Sequence, residues 1–123
     1  MQEIENSTRR VLDDLVAAWN HRDMDGFLRL FAEDALYVTG TGAHWEGRAA
    51  IRRGVASRIS DPSGPRQIAI SEVAVKALWE HAAVALVRWR MDATGRAGLF
   101  TLVTTATSAG WRIVLLHNTD SAA

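Results

Sequence analysis

The chain has 123 residues, 14 basic and 14 acidic side chains, 48% hydrophobic residues and no cysteine, which fits a single domain over residues 1–123 with an unstapled core. Zero formal net charge argues against a nucleic-acid partner, whose affinity rests on phosphate neutralisation, and the missing cysteine excludes disulfides, thiolate metal sites and a cysteine nucleophile. No apolar run approaches the roughly 18 residues of a membrane span, and the acidic opening Met-Gln-Glu-Ile-Glu-Asn is unlike a signal peptide, so a cytoplasmic protein without membrane contact is expected.

The first half reads as helices. Val11, Leu12, Leu15, Val16 and Trp19 recur at helical spacing, with Arg9, Arg10, Asp13 and Asp14 on the other side. Asn6, Ser7 or Thr8 can cap its start, unless it begins nearer Ile4. His21 follows as a partner for the C-terminal dipole. Asp23 is the expected N-cap of a short second helix, with Phe27, Leu28 and Phe31 on one face and Glu33-Asp34 at its end. Ala35–Thr39 has strand composition, and the stretch from Gly40 to Gly47 reads as loop. A third helix follows, with Ile51, Val55 and Ile59 every four residues. Gly54 inside it costs about 1 kcal/mol relative to Ala.

After the loop Asp61-Pro-Ser-Gly-Pro65 the period changes to two. Gln67–Leu78, Ala82–Met91, Leu99–Thr107 and Trp111–Asn118 read as four strands joined by short turns, hence antiparallel neighbours. Helices first and a meander last is an α+β layout with the helices on one face of the sheet. In Ala82–Met91 the second face still carries Val84 and Leu86 before turning to Arg88 and Arg90. An apolar second face points to a second copy of the chain.

Few residues announce chemistry. Gly40-Thr-Gly42 lacks the rest of a dinucleotide fingerprint, and no two histidines share a helical face. His44 and Glu46 read as a surface pair, so neither a metal site nor a cofactor is expected. Glu72 is an inward carboxylate with a raised pKa, a residue on an exposed face, or the site of a bulge. His117 and Asn118 follow the apolar run Ile113–Leu116 and could line the mouth of a pocket. As neighbours on one strand they point to opposite faces, and the sequence leaves open which faces inward. Five tryptophans include Trp45 in the presumed loop, where a flat ring is either a plug or a surface for a flat ligand.

Trp19-Asn-His-Arg-Asp-Met-Asp-Gly-Phe27, Leu30-Phe-Ala-Glu-Asp-Ala35 and Gly47-Arg-Ala-Ala-Ile51 resemble the SnoaL-like branch of the nuclear transport factor and ketosteroid isomerase superfamily. The closing Gly110-Trp-Arg-Ile-Val-Leu-Leu-His-Asn-Thr119 resembles its SgcJ/EcaC subgroup. The resemblance implies a cone: three N-terminal helices on a strongly curved antiparallel sheet, a ligand pocket at the open end, and dimerisation through the sheet. It also allows the isomerase machinery to be sought position by position. Thr39 stands where the carboxylate base would be, Leu15 where the helix tyrosine would be, and Val103 where the protonated aspartic acid would be. None of the usual parts is present.

Two function classes follow. The resemblance implies a polyketide- or enediyne-type natural-product intermediate as ligand, and the bias to Arg over Lys, with abundant Ala and Gly, suggests a bacterial genome. The chain either binds this flat, largely apolar molecule as an accessory protein of antibiotic biosynthesis, or acts as a cyclase or isomerase through shape and weak acid–base groups such as His117. The expected lining is Leu15, Trp19, Tyr37, Thr39, Trp45, Trp89, Thr101, Val103 and Asn118. A register slip of one on the sheet would exchange residues such as Thr101 and Val103 for their neighbours.

Overall fold

The structure is a computed structural model describing residues 2–59, 67–92 and 95–121. The loop read at Asp61–Pro65 and the centre of the Asp92–Gly95 turn lie outside the described residues.

Helix α1 (Gln2–Asn20) buries Thr8, Val11, Leu12, Leu15 and Ala18 along the stripe that the spacing predicts. It starts ahead of Asn6, Ser7 and Thr8, two residues before the earlier start considered at Ile4. The His21 Nδ1–H donates to the Ala17 carbonyl at 2.8 Å, closing the last turn. Helix α2 (Met24–Arg29) is capped by Asp23, whose carboxylate accepts from the Gly26 amide at 3.0 Å.

Strand β1 (Phe31–Val38) begins where the sequence pattern predicts more helix. Phe31 is wholly buried opposite Ile113 of the last strand, and the register shift before Leu36 leaves Glu33 and Asp34 exposed. Burial of one phenylalanine in the sheet overrides the helical phase. Strand β2 (His44–Glu46), read in the sequence as loop, forms a hairpin with β1, with Trp45 opposite Tyr37. Three residues are too few to show alternation. Helix α3 (Arg48–Ile59) follows, burying Ile51, Val55 and Ile59.

Strands β3 (Ile68–Trp79), β4 (Ala82–Met91), β5 (Ala97–Thr107) and β6 (Gly110–Asp120) form the meander, and the sheet order is β2-β1-β6-β5-β4-β3. Every neighbouring pair is antiparallel except β1 and β6, which run parallel. No hairpin joins these two, because α3 and four strands intervene, so no turn dictates their relative direction.

The buried face is fixed by Ala83, Ala85, Val87 and Trp89 of β4, Phe100, Leu102 and Thr104 of β5, and Ile113 and Leu116 of β6. The three helices cover this concave face of the curved sheet, giving the α+β cone. Two polar fastenings hold α1 to it. Thr8 Oγ1 and Thr104 Oγ1, both fully buried, are 2.8 Å apart. At the other end the Asn20 amide donates to the Ile68 carbonyl at 3.0 Å and accepts from its N–H at 2.9 Å. That side chain satisfies backbone groups of the edge strand β3. Glu72 is exposed on the convex face opposite Arg88 and sits beside a register shift, so the exposed-face and bulge readings hold together and the inward one does not. Among the described residues no helix is long and apolar enough to cross a membrane.

Candidate functional site

A run of aromatic rings crosses the helical side of the sheet. Trp19 of α1 lies 6.1 Å from Phe27 of α2, Phe27 lies 5.2 Å from Phe31, and Phe31 lies 6.0 Å from Tyr37 of β1. Tyr37 stacks on its cross-strand partner Trp45 at 5.1 Å and 28°. Elements far apart in structure type thus converge because each carries one ring on its buried side.

Trp45 is a wedge between β1 and α3. A Cβ on Gly54 would come within 2.2 Å of the indole, so only glycine lets the helix backbone approach the ring this closely. The Arg58 guanidinium carbon lies 5.2 Å from the indole centre, and one of its N–H groups donates to the Gly54 carbonyl at 2.9 Å. The helix-weakening glycine seen in the sequence is therefore the seat of Trp45.

Tyr37 stands out chemically. Burial pushes its phenol up to about 12, and the positive charge of Arg58 opposes part of that rise. Its hydroxyl remains protonated near neutral pH and is available as a donor. No other described residue provides it with a hydrogen bond. Thr39, by contrast, is occupied: its Oγ1 accepts from the Ala43 amide at 2.9 Å and pins the β1–β2 turn.

Where β4 and β6 end and β5 begins, a polar chain closes the concave face. Trp89 Nε1–H donates to Asn118 Oδ1 at 2.8 Å, and Asn118 Nδ2–H donates to Asp120 Oδ1 at 3.1 Å. Arg96 donates to Asp120 Oδ2 at 2.8 Å. An indole N–H can only donate, so it sets which way the Asn118 amide faces. Backbone approaches closely here as well. A Cβ on Gly98 would strike the Trp89 ring at 2.7 Å, and one on Gly40 would strike Asp120 at 2.2 Å.

Of the residues expected to line the site, Leu15, Trp19, Tyr37, Trp45 and Trp89 belong to the core or pack against it, Asn118 joins this network, and Thr39 is buried at the β1–β2 turn. Thr101 and Val103 do not. They alternate with buried Phe100, Leu102 and Thr104 and lie on the convex face, the one-residue slip foreseen for this strand. The His117 or Asn118 alternative resolves in the same way. Asn118 shares the concave face with buried Leu116, whereas His117 is exposed on the convex face opposite Thr101. His117 therefore cannot offer a proton to anything held on the concave side. The sequence reading passed over Asp120, Arg96 and Arg58. The two-residue spacing of Asn118 and Asp120 carried a signal for the first, but nothing in the pattern pointed to the two arginines.

His44 Nε2 and Glu46 Oε1 are 3.8 Å apart and both exposed. Among the described residues no three His, Asp or Glu side chains converge as a metal site would require.

Comparison with known proteins adds a family. The sequence profile of the SnoaL-like domain matches residues 12–116. No curated protein matches the sequence. Among solved structures, a DUF3225-family protein of unknown function from Pectobacterium atrosepticum is 19% identical, with 99% of this chain and 94% of that chain covered and a TM-score of 0.84. An NTF-2 like protein of unknown function from Shewanella oneidensis is 20% identical, covering 94% and 98%, at a TM-score of 0.82. A domain with a cystatin-like fold from Nostoc punctiforme is 26% identical, covering 100% and 80%, at a TM-score of 0.78. These likenesses speak to the fold. Joined to a family profile that spans most of the sequence, they mean that the chain belongs to the SnoaL-like domain family.

Proposed function

We propose that the chain binds a flat, largely apolar small molecule against the aromatic run on the concave side of the sheet. The observation that carries this reading is the Trp19–Phe27–Phe31–Tyr37–Trp45 run, which brings five rings together and leaves the Tyr37 hydroxyl without a protein partner among the described residues. Flat rings beside a single directional donor suit a polycyclic ligand with one oxygen to be oriented. The family resemblance of the last strand supports a polyketide- or enediyne-type intermediate, with the chain serving as an accessory protein of natural-product biosynthesis in a bacterial cytoplasm. The working unit in this reading is a homodimer formed through the convex face.

Binding without turnover is favoured over a cyclase or isomerase. The isomerase base position is Thr39, whose hydroxyl is committed to a turn, and His117 lies on the far side of the sheet. Asp120 is already held by Arg96 and Asn118. A titration of tryptophan fluorescence with anthraquinone-2-carboxamide tests the reading. Saturable quenching at one site per chain, with the probe recovered unchanged by mass spectrometry, is expected. Quenching that never saturates would remove the binding site, and chemical conversion of the probe would favour the enzyme.

A further inference from the structure

Three arginines, Arg52, Arg58 and Arg96, differ in how their charge is met. Arg52 is matched by Asp25 at 2.9 Å and Arg96 by Asp120 at 2.8 Å. Arg58 has no carboxylate partner among the described residues. Its single hydrogen bond among the described residues, to the Gly54 carbonyl, uses one of five N–H groups. It is anchored over Trp45, whose ring also stacks on Tyr37, so one indole is flanked by a positive charge and a hydroxyl that have no carboxylate and no hydrogen-bond partner, respectively, among the described residues. The acidic side chains nearest in sequence to Trp45 do not neutralise it, since Glu46 faces His44.

We propose that Tyr37 and Arg58 form the oxygen-reading end of the site and select a flat ligand that carries a carboxylate. This rests on the binding reading above and adds the ligand's charge to it. The carboxylate accepts a hydrogen bond from the Tyr37 hydroxyl and sits in the field of Arg58. A charge-assisted bond of that kind is stronger than the same bond to a neutral carbonyl. The field of Arg58 reaches Tyr37, since it opposes the effect of burial on the phenol. Stacking on Trp45 keeps the guanidinium in place without cancelling its charge.

The test compares two probes of one shape, anthraquinone-2-carboxylate and anthraquinone-2-carboxamide, by fluorescence titration of the full chain at pH 7. The carboxylate should bind about tenfold more tightly at low salt, and the preference should shrink as salt screens the partly exposed arginine. Arg58→Gln should bring the two affinities together by weakening the carboxylate alone, while Arg58→Lys should keep most of the preference. Tyr37→Phe, which removes only a hydroxyl, should weaken the carboxylate more than the carboxamide. Equal affinity of both probes for the wild type, or a preference that survives Arg58→Gln, would overturn the carboxylate assignment and leave the binding site standing. Failure of both probes to bind saturably would overturn the binding reading and this assignment together.

Discussion

Tyr37 offers a clean measurement because it is the single tyrosine in the chain. Its phenol is raised from the usual 10.0 to about 12 by burial, against the opposing charge of Arg58. The fold therefore holds the proton more tightly than the unfolded chain does. The stability this adds is complete below about pH 10 and is lost as pH climbs towards 12. Absorbance of the ionised phenol should rise with a midpoint near 12 in the folded protein and near 10 in denaturant. A native midpoint near 10 would show that the ring is solvated. Asn118 makes the second residue-scale case. Its side chain accepts from Trp89 and donates to Asp120, so its first duty is to the protein itself. Asn118→Ala leaves the buried Trp89 N–H without an acceptor and should cost about 1–3 kcal/mol of stability, measured by urea unfolding. His117→Ala should change stability little, being exposed on the other face. Alternation in the sequence shows that these two residues part company. It cannot show which turns inward, because Ile113/Leu115 and Val114/Leu116 are equally apolar and a register shift in β5–β6 falls beside them.

Elements with a strong period were legible, and those whose form depends on a distant partner were not. The Ala82–Met91 strand and the Ile51/Val55/Ile59 helix stand where the spacing puts them. Strand β2 is too short for its alternation to show, and the early start of β1 depends on pairing with β6, far away in sequence, which local pattern cannot report. The phase of β5 was hidden for a plainer reason. Thr101 and Val103 on one face are nearly as suited to a core as Leu102 and Thr104 on the other. Packing between elements also reverses a rule of propensity. Gly54→Ala would gain up to ~1 kcal/mol as a helix former, yet the new methyl would lie 2.2 Å from the Trp45 ring. Overpacking of that severity costs about 1–3 kcal/mol, so the substitution should lower the melting temperature instead of raising it. The fastening of α1 to β5 makes a matched test. Thr8→Val strands the buried Thr104 hydroxyl and should cost about 1–3 kcal/mol. Adding Thr104→Val removes the stranded group, so the double variant should be more stable than the sum of the two single losses predicts. Simple additivity would mean that the two hydroxyls do not depend on each other.

At the scale of the molecule, one face of the sheet is closed by helices and the other is open. On the open face the register lines up Leu36 with Leu115, Leu115 with Val103, and Val103 with Val84, an apolar row running across β1, β6, β5 and β4. Leu86, in the next row along β4, is 46% exposed and Leu36 is 39% exposed. Arg88, opposite Glu72, and Arg90 bound the patch at one end of β4 with charge. A row of this kind, which a twofold partner can meet with the same residues, suits an isologous interface, in which one substitution strikes both copies at once. Leu86→Glu should therefore convert a dimer, with twice the 13.5 kDa chain mass, into a monomer by light scattering. Two carboxylates would then be brought into one apolar contact, where neither has a partner. Because Leu86 is already half open in the single chain, the same substitution should leave the unfolding of the monomer nearly unchanged. Arg53→Glu, on the exposed side of α3, serves as the control and should leave the mass of the assembly as it was. A wild-type protein that stays at 13.5 kDa at every concentration would remove the dimer. In that event the apolar row on the convex face would stand open to solvent in the working protein, while the aromatic run on the concave face, which no step of the dimer argument uses, would keep its own test.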